Sequence, residues 1–261
     1  MYKIVSFLFI FISFSATAQP ISYSVQNAHS HNDYVNAVPF WTAYNEGFGS
    51  IEADIFLKDK SLLVAHDAKE LTVTRSLINL YINPLIECLI RHNGYPFADT
   101  LKQLQLLIDI KTDSIATLQA LVETIRKYDV LMNSHQLKWV ITGKRPEQSL
   151  FATYPSFITF DGELDKTYSP GALTKIAMLS DDGRKYTKWD GIGKLPVADL
   201  RKMKTAVAKA HKLHKPVHFW AVPDMIHAWD QFRQLKIDYI NTDHIHELAA
   251  WVLLKSNPYK D

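Results

Sequence analysis

Apolar and polar residues follow two alternating periods along this chain. From residue 50 to 57, Ile51, Ala53 and Ile55 alternate with Glu52 and Asp54, the two-residue repeat of a strand with one face on a core. Lys58-Asp59-Lys60 then predicts a tight turn, and residues 61–65 a short return strand. Residues 104–110 are apolar almost throughout, which predicts a parallel strand covered on both faces. Further strands are predicted at 24–29, 138–142, 156–160, 175–179, 217–221 and 237–241. Between them the spacing turns helical. Helices are predicted at 39–45, at 76–93 with a break at Asn83-Pro84, from an Asp113 cap through Tyr128, at 147–152, at 196–214, from an Asp224 cap to Leu235, and at 244–254. Residues 182–193 are polar and contain glycine, the pattern of a loop.

Eight principal strands alternating with helices in 261 residues predict an α/β chain with a parallel sheet, closed as an irregular (β/α)8 TIM barrel in one domain. No internal repeat or linker divides it. The hydrophobic share of 47% is enough for a sizeable core, and a net charge of +2 without a basic, aromatic-laced run argues against nucleic acid as a partner.

The N-terminus changes the domain plan. Lys3, an apolar run over 4–14 and Ala16-Thr17-Ala18 predict a signal peptide over residues 1–18, cleaved near Ala18, with a mature domain over 19–261. The expectation is export, to the periplasm or the medium. The run is shorter than the ~20 residues of a membrane span, so no transmembrane segment is expected. Cys88 is the only cysteine, which excludes an intramolecular disulfide, and its apolar neighbours predict a buried thiol.

A barrel places its chemistry at the C-terminal strand ends. Glu52 and Asp54 share one face of a strand, and Asp109 ends another. Three buried carboxylates need either a cation or basic partners such as Lys111. Hard oxygen donors suit one divalent cation, Mg²⁺ or Ca²⁺. His29 and His66 end segments on either side of the acidic pair and are candidates for acid and base. Lys111 shares a face with Asp109 and could reach a phosphate oxygen, and Trp220 could wall the pocket. His29-Ser30-His31 is also the HxH opening of some metallohydrolases, but the strands ending near Asp161 and Ser180 carry no further histidine.

Taken together, these residues resemble the phosphatidylinositol-phospholipase-C-like phosphodiesterase superfamily, which includes glycerophosphodiester phosphodiesterases and sphingomyelinase D enzymes. The resemblance rests on His29 followed by Asn32, Glu52-Ala53-Asp54, Val64-Ala65-His66-Asp67, Asp109-Ile110-Lys111, Trp220 and Ile240-Asn241-Thr242-Asp243. The overall pattern is similar to a bacterial branch related to the fungal altered-inheritance-of-mitochondria protein 6. The resemblance implies that Glu52, Asp54 and Asp109 bind one divalent cation and that His29 and His66 are the acid–base pair. It implies that Lys111, with Asn32 and Trp220, contacts the substrate, and that His31, Asp67 and Asp161 support from behind. The implied substrate is a small-molecule or lipid-headgroup phosphodiester. The chain departs from the glycerophosphodiesterases in having Ser30-His31 and Asn32-Asp33-Tyr34 in place of Arg-Gly and Pro-Glu-Asn, which removes one metal ligand of that subgroup. Two other readings stand beside this one: a non-catalytic phosphate or sugar-phosphate binding barrel, and an HxH metallohydrolase acting on amide or phosphomonoester bonds.

Overall fold

Eight parallel strands close almost completely around one axis in the computed structural model, which describes residues 23–256. The predicted export segment over 1–18, with its cleavage point, lies outside the described residues. The strands are β1 (Ala28–Ser30), β2 (Ser50–Lys58), β4 (Leu104–Ile110), β5 (Leu137–Gly143), β6 (Ile158–Glu163), β7 (Ile176–Asp182), β8 (Val217–Trp220) and β9 (Ile240–Thr242). A ninth, β3 (Ser61–Val64), folds back antiparallel on β2, as the Lys58–Lys60 turn predicts. The strand order is β8-β7-β6-β5-β4-β2-β1-β9, and a single parallel bridge from His218 to Tyr239 draws β8 towards β9.

The helices pack outside this barrel and bury its outer apolar face. They are α1 (Trp41–Glu46), α2 (Asn83–Arg91), α3 (Ser114–Ile125), α4 (Asp129–Met132), α5 (Pro170–Lys175), α6 (Val197–Lys212), α7 (Ile226–Gln234) and α8 (Ile245–Ser256). In α3, Leu118, Leu121, Val122 and Ile125 turn to the core, and the Asp113 side chain accepts from Ala116 N at 2.9 Å. No helix among the described residues is long and apolar enough to cross a membrane. Cys88 is buried in α2 as a free thiol.

Several boundaries differ from the sequence pattern, each for a physical reason. Asn83-Pro84 does not break the second helix. A π-helical turn over Ile78–Ile82 runs straight into α2, its Asn83 N–H donating to the Ile78 carbonyl, and Pro84 follows directly after this wider turn as the second residue of α2. The first strand is short because Ser24 caps a 3₁₀ turn over Val25–Asn27. The helix expected at 147–152 is a 3₁₀ segment, Gln148–Thr153. Asp224 does not cap α7. It accepts from Trp229 Nε1, Thr242 Oγ1 and Asp243 N at 2.8, 3.1 and 2.7 Å, which ties the β8–α7 loop to the end of β9. Strands β6 and β7 run three residues further than predicted, so more polar groups are carried up to the mouth.

Inside the barrel, Leu107, Val140 and Met178 form a small apolar cluster. Nearer the strand ends, the register sets Asp54 beside Asp109 and Asp109 beside Thr142, giving one ring of polar groups at the C-terminal face.

Candidate active site

The loop after β1 is fixed before it presents anything. Asp33 is fully buried and accepts from Ser30 Oγ at 2.8 Å, Phe40 N at 2.6 Å and Tyr81 Oη at 3.0 Å. Its neighbour Asn32 takes the left-handed conformation, φ 46°, and turns the chain over the barrel mouth. Tyr34 Oη then donates to Asp54 Oδ2 at 2.8 Å and lies 3.3 Å from His66 Nδ1.

Beneath this loop, ligand atoms of Glu52, Asp54 and Asp109 lie within 4.8 Å of one another. Among the described residues no other three His, Cys, Asp or Glu side chains meet in this way. Lys111 Nζ stands 2.9 Å from Asp54 Oδ2 and 2.7 Å from Asp109 Oδ2. One ammonium therefore pairs with two of the three carboxylates, and Glu52 Oε2 lies 3.3 Å from His29 Nε2 instead. The second oxygens, Asp54 Oδ1 and Asp109 Oδ1, are buried with no hydrogen-bond partner. Buried acceptors are nearly always satisfied, and a buried charge costs several kcal/mol unless paired. Two orphaned carboxylate oxygens in an all-oxygen donor set are what a divalent cation would complete. The residues present therefore fit such an ion.

The electrostatics agree. Burial, with the charges of Glu52 and Asp109 adding to it, pushes the Asp54 carboxyl up to about 6 against the pull of Lys111. Burial raises Asp109 as well. Burial also opposes the charge on Lys111, but Asp109 and Asp54 outweigh it and hold its pKa above the ordinary range. Glu52 goes the other way. Burial alone would raise it, but the contact with His29, helped by His31 and His218, holds it down.

The cluster opens into a cavity of about 470 Å³ lined by residues from seven of the eight barrel strands or the loops that follow them. Arg145, Asp161, Glu163, Ser180, Asp181, Lys185 and Trp220 form its other half. Asp161 takes the hydroxyls of Thr142 (3.0 Å) and Ser180, and Arg145 bonds to the Asp161 carbonyl and to Glu163 Oε1 (2.6 Å). Burial pushes the Asp161 carboxyl up to about 6.

A profile described as the AIM6-like phosphodiesterase domain matches residues 14–141. Altered inheritance of mitochondria protein 6 from Kluyveromyces lactis is 26% identical over 309 residues, spanning 86% of this chain and 72% of that protein. A homolog from Arthroderma benhamiae is 41% identical over 103 residues, a third of each chain (33% and 33%). A crystal structure of a glycerophosphodiester phosphodiesterase from Parabacteroides distasonis shares the fold, with a TM-score of 0.53 at 14% identity over 88% of this chain and 95% of that one. The matched profile and the shared fold support the resemblance to the phosphatidylinositol-phospholipase-C-like phosphodiesterases that the sequence carries.

The structure brings Glu52, Asp54, Asp109, Lys111, Asn32, His66, Trp220, His31 and Asp161 to one cavity. Two expectations change. Asp67 does not support the site: it is exposed, caps the 3₁₀ turn Ala68–Glu70 and pairs with Lys69 at 3.5 Å. The histidines also have the reverse order of access. His29 is 1% exposed and does not line the cavity; its ring nitrogens lie 2.8 Å from Ser50 Oγ and 3.3 Å from Glu52 Oε2. His31 does line the cavity, with Nδ1 2.8 Å from Asp243 Oδ1. Burial opposes its charge, but Asp243 and the acids beyond raise its pKa overall. His29 and His31 thus point at different acids and share no ligand set, which removes the support for the HxH reading.

His218 is a site residue that sequence reasoning missed. It lines the cavity, its ring 4.6 Å from that of His29, with Nε2–H donated to Asn241 Oδ1 at 3.0 Å. The signal was available: it lies two residues before Trp220 on one strand and so shares its face. Burial, reinforced by His29, pushes the His218 imidazole down to about 3. A histidine whose folded pKa lies below its unfolded value of ~6.5 stabilises the fold above that value, and the stabilisation is lost as pH falls from there towards the folded pKa. His218→Gln is therefore expected to lose less stability than the wild type between pH ~6.5 and ~4, by on the order of a few kcal/mol. Urea midpoints across that range test this; parallel curves would locate the acid sensitivity elsewhere.

Proposed function

We propose that the chain is a divalent-metal-dependent phosphodiesterase acting on a phosphodiester of the phospholipid, lysophospholipid or glycerophosphodiester type. The observation that carries the reading is the pair of unpartnered carboxylate oxygens, Asp54 Oδ1 and Asp109 Oδ1, beside Lys111 in a cavity that also exposes His66 and His31. The phosphodiesterase domain named for the matching profile supports it. Mg²⁺ or Ca²⁺ held by Glu52, Asp54 and Asp109 would neutralise charge on the phosphoryl oxygens. Lys111, poised between two carboxylates, turns its ammonium to a phosphate oxygen. His66 and His31 reach the cavity from different loops. One takes the proton of the attacking hydroxyl, and the other returns a proton to the leaving alcohol. His29 acts through Glu52, keeping it a carboxylate. Residues 1–18 add export to this reading.

The test uses bis-para-nitrophenyl phosphate and a lysophospholipid, with chelator and with added metal. His66→Ala and His31→Ala are each expected to lower kcat about 10²-fold with metal affinity unchanged. His29→Ala is expected to weaken metal affinity instead. Undiminished turnover in folded His66→Ala and His31→Ala proteins would refute the proton-transfer assignment.

A further inference from the structure

One lip of the barrel mouth has the construction of a segment made to leave water. The loop from β7 to α6 rises from the cavity wall, since Asp181 and Lys185 line the cavity. Its tip reads Lys188-Trp189-Asp190-Gly191-Ile192-Gly193-Lys194. Ile192 at the apex is 74% exposed. A protruding loop residue ordinarily leaves its backbone groups to water. Ile192 does not: its N–H donates to Asp190 Oδ1 at 3.0 Å, and its carbonyl accepts from the Trp189 indole at 2.7 Å. The loop rests on the next lip as well. A Cβ at Gly191 would meet Met225 Sδ at 2.7 Å and Pro223 Cβ at 2.9 Å. Met225 and Ile226 add exposed apolar surface at that lip, and Trp220 on the cavity lining is exposed as well.

These features solve a specific physical problem. A loop can enter an apolar phase only if its backbone polar groups are satisfied internally, because each unsatisfied group costs several kcal/mol there. At Ile192 both are. The flanking Lys188 and Lys194 are exposed and form no ion pair among the described residues, so they are placed to meet lipid phosphates, each worth about a fivefold gain in affinity for an anionic surface.

We propose that the 188–194 loop docks the barrel mouth on an anionic phospholipid surface, Ile192 entering the headgroup–acyl boundary and the two lysines lying at the phosphates. The proposal draws its purpose from the lipid part of the functional reading, but docking needs neither metal nor turnover, so the two can fail separately.

The test places an environment-sensitive fluorophore at Ile192→Cys. Cys88 is buried, so the label goes to position 192 alone. With phosphatidylcholine vesicles doped with phosphatidylglycerol, and chelator present, the label is expected to shift to the blue. The same label at Leu101→Cys, exposed in the loop entering β4 at the other end of the barrel, is expected to stay water-like. Lys188→Gln and Lys194→Gln should each lower affinity for these vesicles about fivefold. Ile192→Asp should lower it at least ~10-fold while hydrolysis of soluble bis-para-nitrophenyl phosphate is unchanged. A water-like label at 192 on vesicle-bound protein, an equal shift at 101, or undiminished binding of Ile192→Asp would overturn the proposal.

Discussion

Replacing Asp54 by asparagine is expected to stabilise the metal-free protein and, in the same variant, to abolish its response to Mg²⁺ or Ca²⁺ and at least ~10³-fold of its turnover. The two effects have one cause. In the metal-free site Asp54 and Asp109 share a single lysine, and Asp54 is the member of the cluster whose charge burial and neighbours disfavour most visibly, with its carboxyl pushed up to about 6. At neutral pH it is nevertheless ionised, at a cost on the order of 1–3 kcal/mol. Asparagine removes that cost and keeps the contacts, because an amide oxygen in the place of Oδ2 still accepts from Tyr34 and Lys111. The amide nitrogen falls where Oδ1 has no partner. What is lost is one of three hard anionic donors. Thermal melts in chelator and in excess metal separate the two effects. Wild type should gain ~2.7 kcal/mol at a metal concentration a hundred times its Kd, and the variant nothing. A variant that melts below wild type in chelator would mean the acidic cluster is satisfied without an ion.

The acidic half of this site was open to sequence reading because it obeys a period. Glu52 and Asp54 are two apart on a strand whose other positions are apolar, and Asp109 closes a run apolar enough to locate its strand end unaided. The barrel itself follows from the same alternation. Access did not follow. His29 and His31 also differ by two, and nothing in their spacing says that one ring is enclosed by Ser50 and Glu52 while the other stands on the cavity wall against Asp243. That distinction depends on which side chains the closed barrel folds over the ring. Glu163 and Lys185 were hidden for another reason: β6 runs to Glu163 and β7 to Asp182, past a register shift at Phe160/Asp161 that no apolar pattern marks. Asp67 shows the converse. It adjoins His66 in sequence, but the chain turns there, and Asp67 faces solvent as a cap.

Gly143→Ala is the change with the largest expected effect outside the acidic cluster, at a residue with no chemistry of its own. Gly143 ends β5 opposite Ile110, with φ +68°, a conformation that strains any residue bearing a Cβ. A Cβ placed there would stand 1.9 Å from Asp109 Oδ1 and 2.8 Å from the Ile110 carbonyl. Neither neighbour can give way cheaply. The carbonyl belongs to a β4 strand paired on both sides, and it already accepts from Lys144 N at 2.9 Å. The carboxylate is held by Lys111, and its Oδ1 is the oxygen left free for a cation. The alanine methyl and that oxygen would claim the same space. Strain and overpacking together are expected to cost roughly 2–4 kcal/mol of stability. The same displacement takes one donor out of the ligand set, so metal affinity and turnover should fall with it, by about 10²-fold or more. Titration of the folded variant with Mn²⁺ as a reporter ion, beside urea unfolding of the metal-free form, measures both losses. If metal affinity survives while stability falls, Asp109 does not use Oδ1 to hold the ion, and the orphaned oxygen needs another explanation. If both fall, a glycine without a functional group is what keeps the third carboxylate in place.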